Sequence, residues 1–343
     1  FELPGDEPPA GERTTSDNPA KPDPAPAAAA PPTPVVAAIP KVSHRPITNT
    51  ISAFATAKGL KLTVYGAGPV RIWLVGDGAI EDADSLIATG ENVIQGLELW
   101  TGKQGLFTPV TDDDHLHFVL FARDGDYNGW IDQLRANKVM GKPEGEDLVK
   151  KLGGTPIPRG QVRVLSKSAP IMRHVTVYAV CTAAIDAFYQ EHGGDSRKHS
   201  WLREGLTAEM QRLLCDGQVR CYTIAYEDAK VNMQEDWAKT MAKMLLLSDQ
   251  TVRPTREIMS FTLIGMPSAN YIQMWSLCTY MRLLSKNKKG PDNLFAKLLL
   301  LTTGKTASDD AVKAAFGKED PKLSKAWREW AATYTTDPKG VNR

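Results

Sequence analysis

The stretch His174–Leu214, HVTVYAVCTAAIDAFYQEHGGDSRKHSWLREGLTAEMQRLL, is where the fold is decided. Its first part, Val175 to Tyr189, is apolar almost all round and runs out at Gly193-Gly194. That pattern predicts a helix over 173–190 that is buried on several faces. Ser200 is placed to cap a second helix over 200–214, whose core face reads Leu202, Leu206, Met210 and Leu213. Two packed helices joined by a polar turn follow from this spacing.

Upstream of the pair the hydrophobic period shortens. Leu60 to Tyr65 and Val70 to Val75 flank Gly66-Ala67-Gly68 and read as a β-hairpin. Ala79 to Trp100 repeats Ile80, Leu86, Ile87, Val93, Ile94 and Leu97 on one helical face. His115 to Ala122 (HLHFVLFA) is a second strand that ends at the turn residues Asp124-Gly125-Asp126. A short amphipathic helix over 127–137 and a strand over 161–165 complete a mixed α/β segment, residues 47–170. Downstream, helical periodicity continues over 233–247, 268–286, 291–302, 308–316 and 321–334, which defines a mostly helical segment, residues 171–335, and a short tail, 336–343. The expected class is α+β: a mixed sheet with flanking helices, followed by a helical lobe.

Composition limits the function classes. Eleven of the 23 prolines lie within residues 1–40, among alanines and scattered charges, so residues 1–46 read as a semi-stiff Pro/Ala-rich linker or tail with no core of its own. Formal charge is +1, from 41 basic and 40 acidic residues, and no long run of one sign tracks a phosphate backbone; nucleic acid is not an expected partner. The longest apolar runs, such as Leu298 to Leu301, fall far short of the ~20 residues that span a bilayer. A chain that begins at Phe1 fits a removed signal peptide and hence export to a periplasmic or extracellular space, as does a trimmed chain. Four cysteines are too few for a disulfide framework. Cys215 and Cys221 flank a short polar turn and could close a small loop, or all four could be buried thiols.

The helix pair, and above all Trp201-Leu202-Arg203-Glu204-Gly205-Leu206, resembles the gluzincin metallopeptidases of the peptidase-MA-like branch. In that family the first helix carries H-E-x-x-H, two zinc ligands one turn apart with a Glu that activates water, and the second supplies a Glu as third ligand. The resemblance puts Glu204 at the third-ligand position and Tyr178, Ala179 and Thr182 at His, Glu and His. Neither Tyr178 nor Thr182 is a good neutral zinc donor, and Ala179 cannot act as a base. The resemblance therefore implies a gluzincin-like fold with a degenerate site, no catalytic residues and no zinc: a pseudopeptidase that binds a protein partner or builds an assembly. The alternative is a working metal-dependent peptidase with a rearranged site around His174, Tyr178 and Glu204, which would need zinc.

Each singled-out residue also has a plainer reading. Glu204 could compensate a helix dipole or pair with a nearby Arg. His192 and His199 fall on the polar turn, where solvated or capping histidines are ordinary, and His115 and His117 alternate on one strand with no third ligand near. Asp112-Asp113-Asp114 reads as a turn into the strand rather than a calcium loop, which needs ligands spread over a longer segment. No phosphate-cradling glycine loop and no G-x-S-x-G elbow occur.

Overall fold

A computed structural model of the chain describes residues 45–77, 80–138, 150, 154–156, 162–166, 172–217, 219, 236–247, 251–261, 267–285 and 293–334. The expected linker, all but its last two residues, and the tail lie outside them. The elements in chain order are α1 (Arg45–Lys58), β1 (Leu62–Ala67), β2 (Val70–Val75), α2 (Ile80–Thr101), β3 (Leu116–Phe121), α3 (Asp124–Ala136), β4 (Gly154–Pro156) and β5 (Val162–Ser166). Then follow α4 (Met172–Glu191), α5 (Ser200–Leu214), α6 (Trp237–Leu247), α7 (Thr255–Met259), α8 (Ser268–Ser285), α9 (Leu294–Thr303), α10 (Ser308–Phe316) and α11 (Lys322–Thr333). The class is α+β.

The five strands form one mixed sheet in the order β1-β2-β3-β5-β4, with antiparallel pairs at both edges and parallel pairs β2/β3 and β3/β5 inside. The hairpin follows from Gly68, whose φ of +55° makes the turn between β1 and β2. In the central strand β3 (LHFVLF) every residue is buried, as a strand covered on both faces must be. Alternation divides its side chains. Leu116, Phe118 and Leu120 join Ile72 and Leu74 of β2 in the large core under α2, α4 and α5; Val119 and Phe121 join Val75 in a smaller core closed by α1 and α3. The large core continues through Trp201, Trp275 and Trp327, so residues on either side of position 170 share one hydrophobic interior and the described residues belong to one compact unit.

The structure departs from the sequence reading in four places. Helix α1 was not expected, because the proline-rich composition runs up to its first turn; its Ile51, Phe54 and Ala55 cap the small core. Short β4 and α7 were likewise not foreseen. The turn residues Asp124, Gly125 and Asp126 form the first turn of α3, where the acidic side chains lie at the positive end of the helix dipole. Ser200 is not the N-cap: a 3-10 turn, Ser196–His199, runs directly into α5, and the Ser200 hydroxyl points back to donate to the Arg197 carbonyl at 2.7 Å. Asp195 caps that turn, accepting from the Arg197 amide at 3.1 Å.

Candidate functional site

Helix α5 runs through the middle of the helical lobe, against α4 on one side and α8 on another. The sequence reading gave it one apolar face, and Leu202, Leu206 and Met210 are indeed buried. So are Glu204, Thr207, Glu209, Gln211 and Arg212, however, so the helix needs an internal partner for each of its polar groups. Its close approach to α8 depends on Gly205. A Cβ there would lie 2.7 Å from the Cys278 Cβ and 2.9 Å from the Met274 carbonyl oxygen.

Glu204 is 3 % exposed and faces α4. The Tyr178 hydroxyl lies 3.3 Å from both of its carboxylate oxygens, and Arg203 donates from Nη1 to Oε1. Arg203 is itself held in a bidentate pair by Asp186 of α4, with Nε to Oδ1 at 2.9 Å and Nη2 to Oδ2 at 3.0 Å. Ser196 donates to the same Asp186 oxygen. The result is one guanidinium between two carboxylates. Burial pushes the Glu204 carboxyl above the usual carboxylate range, against the pull of Arg203 and the Tyr178 hydroxyl. Burial also works against the Arg203 charge, but Asp186 and Glu204 more than offset it and keep the guanidinium protonated.

Tyr178 and Glu204 line a small half-open pocket together with Thr207, Ala208, Gln211, Val219, Trp237 and Tyr271. It holds about 200 Å³ of empty space including its open mouth, and its enclosed part admits about one water-sized group. Trp237 is 3 % exposed, and its indole N–H has no hydrogen-bond partner among the described residues.

The structure brings together two of the four positions singled out on the helix pair. Tyr178 and Glu204 touch across the α4/α5 interface. Thr182 does not join them: its hydroxyl donates to the Tyr178 and Ala179 carbonyls of its own helix at 2.8 and 3.2 Å. Ala179 is wholly buried in the large core. His174 is buried in the first turn of α4 and is not part of the pocket lining; Gln211, which is, donates to its carbonyl at 2.9 Å. Among the described residues, no three His, Cys, Asp or Glu side chains converge in a way that could hold a metal ion.

The remaining candidates are held elsewhere. His192 pairs with the Phe188 carbonyl at 2.8 Å, and His199 bonds Ser308 of α10 at 2.8 Å, its basicity lowered by burial and by Lys198. His117 accepts from the Trp73 indole N–H at 2.9 Å through Nδ1, so its Nε2 carries the proton given to the Asp112 carbonyl at 2.9 Å. His115 is half-buried, with Nδ1 3.0 Å from the Thr111 carbonyl. Asp114 folds back on the Val110 and Thr111 amides and Asp112 pairs with Arg71 at 2.8 Å, which makes the acidic triplet a 3-10 turn. Cys215 is buried, and Cys221, its suggested disulfide partner, lies outside the described residues. The Cys181 thiol, buried against α5, is pushed up to about 12 and is unreactive as a nucleophile.

The expected pairing of Glu204 with a nearby Arg is met by Arg203, whereas sequence reasoning missed Asp186 and Ser196 as members of the site, and Trp237 and Tyr271 as its walls. A signal existed for Asp186, the one charged residue between Val175 and Tyr189 in an otherwise apolar helix, two turns on from Tyr178. Arg203 stands directly before Glu204, but the sequence does not say that Glu204 is buried and Arg203 partly so. A scan against protein-family models and a search of curated proteins both return no match.

Proposed function

We propose that this protein is a non-catalytic, gluzincin-like pseudopeptidase that serves as an exported binding component of a protein assembly. The observation that carries the reading is the direct contact of the Tyr178 hydroxyl with both Glu204 oxygens. In the metallopeptidase pattern the residue at the Tyr178 position and the Glu of the second helix meet only through the metal. Here the phenol bridges the gap itself. The donor chemistry points the same way, because a tyrosine, an alanine and a threonine committed to its own helix backbone do not make a zinc set with Glu204. The residues present therefore do not fit zinc. On this reading the pocket at Tyr178 and Glu204 is retained for contact with a protein partner, and the proline-rich residues before α1 act as a tether.

The decisive experiment is metal analysis of full-length protein purified without a histidine tag or chelator, together with a peptidase assay. The expected outcome is substoichiometric zinc and no hydrolysis. About one zinc per chain, with hydrolysis abolished by Glu204→Gln, would replace this reading with an active peptidase rearranged around His174, Tyr178 and Glu204.

A further inference from the structure

We infer that the pocket between Tyr178, Glu204, Trp237 and Tyr271 binds a single unbranched primary ammonium group; this rests on the binding reading above and names its ligand chemistry. The first argument is charge. Asp186, Arg203 and Glu204 form a mostly buried triad in which one guanidinium serves two carboxylates, leaving one negative charge in surplus when all three are ionised. Arg203 gives Nε and Nη2 to Asp186 and Nη1 to Glu204 Oε1, and among the described residues no Arg203 bond reaches Oε2. Among the described residues, Glu204 Oε2 receives only the Tyr178 hydroxyl, shared with Oε1 at 3.3 Å, and so keeps acceptor capacity. A buried carboxylate left in that state is costly, and a cation beside Oε2 relieves it. A proton on Glu204 relieves it too, so proton and ligand compete for the same atom.

The second argument is the lining. Among the described residues, three of the eight side chains around the pocket are aromatic, Tyr178, Trp237 and Tyr271, and Glu204 is the one carboxyl side chain. Aromatic walls over a carboxylate attract a cation, and the carboxylate repels an anion. Size then selects within that class. The enclosed space takes about one water-sized group, which suits –NH₃⁺ on a slender stem and excludes a guanidinium or a quaternary ammonium.

The test uses full-length protein and ligand-observed NMR titrations with n-propylammonium, n-propanol, propionate and tetramethylammonium. Propylammonium is expected to bind at least tenfold more tightly than propanol and tetramethylammonium, with no binding of propionate. Glu204→Gln is expected to abolish the preference for propylammonium over propanol. Competition with N-acetyl-lysine methylamide separates the two sources: displacement assigns the site to a lysine of a partner chain, and its absence assigns it to a free amine. Equal binding of propylammonium and propanol, or a preference that survives Glu204→Gln, overturns the inference; if that variant does not fold, the wild-type comparison decides alone. The two proposals fail separately. A zinc-free, inert protein that ignores propylammonium overturns only the ligand assignment, whereas stoichiometric zinc overturns the reading beneath it.

Discussion

Helix α5 carries two buried carboxylates five residues apart, and they are embedded in opposite ways. At Glu204 one arginine is divided between two carboxylates, with a tyrosine hydroxyl at 3.3 Å as the other donor. At Glu209 one carboxylate is surrounded by two arginines. Arg212 gives it two bonds of 2.9 Å, Arg282 one of 2.6 Å, the Trp275 indole one of 2.8 Å and the Thr279 hydroxyl one of 3.1 Å. Burial alone would raise both groups, but at Glu209 the surrounding donors outweigh it and pull the carboxyl down to about 2, while Glu204 stays above its ordinary range. The comparison separates structure from site: the saturated carboxylate fastens α5 to α8, and the undersupplied one faces the pocket.

The largest effect should come from breaking the saturated end. Glu209→Gln strands two partly or fully buried guanidiniums beside a neutral amide, and a loss of about 3–5 kcal/mol in unfolding free energy is expected from urea denaturation. A loss below about 1 kcal/mol would show that Glu209 does not fasten the helices. Gly205→Ala tests the seam between the two ends. Its new methyl meets the Met274 carbonyl and Cys278 Cβ inside normal contact distance, and about 1–3 kcal/mol should be lost, read as a lowered urea midpoint at unchanged m-value.

The smallest effect, and the one most particular to the site, is at Glu204. Glu204→Gln keeps an acceptor for Arg203 and removes an undersupplied charge, so its cost at neutral pH should not exceed about 1 kcal/mol. Its pH dependence should run opposite to that of Glu209. A folded-state pKa raised above the ordinary value means the native protein holds the Glu204 proton more tightly than the unfolded chain. Wild type should therefore lose stability relative to Glu204→Gln as pH rises from about 4.5 toward neutrality. Glu209, lowered to about 2, contributes stability that is present above 4.5 and lost as pH falls from 4.5 toward 2, and the gap between wild type and Glu209→Gln should close over that window. Urea titrations of the three proteins across this range check both signs; equal slopes would erase the distinction between the two ends.

What the sequence determined by itself was local. Helices over 200–214 and 308–316 appear at the ends expected of them, and α4, α8, α9 and α11 within a few residues, because apolar spacing over three or four turns reports which face is buried. The hairpin and β3 were legible for the same reason at period two. Helix α1 was hidden because most of the core it closes, including Val119, Phe121 and Trp130, comes from distant β3 and α3, and nothing in Arg45–Lys58 itself marks an end to the proline-rich stretch. The site divides along the same line. Glu204 stood out because a short motif surrounds it, whereas Glu209, in the run Thr207-Ala208-Glu209-Met210-Gln211-Arg212, reads as an ordinary solvent-facing acid with an i,i+3 arginine. Its other partners, Trp275, Thr279 and Arg282, are 66 to 73 residues further on. Periodicity records whether a side chain is apolar, and it cannot record which distant donors will surround a buried charge. Only the packing of α8 against α5 decided that one carboxylate would be saturated and the other left facing a pocket.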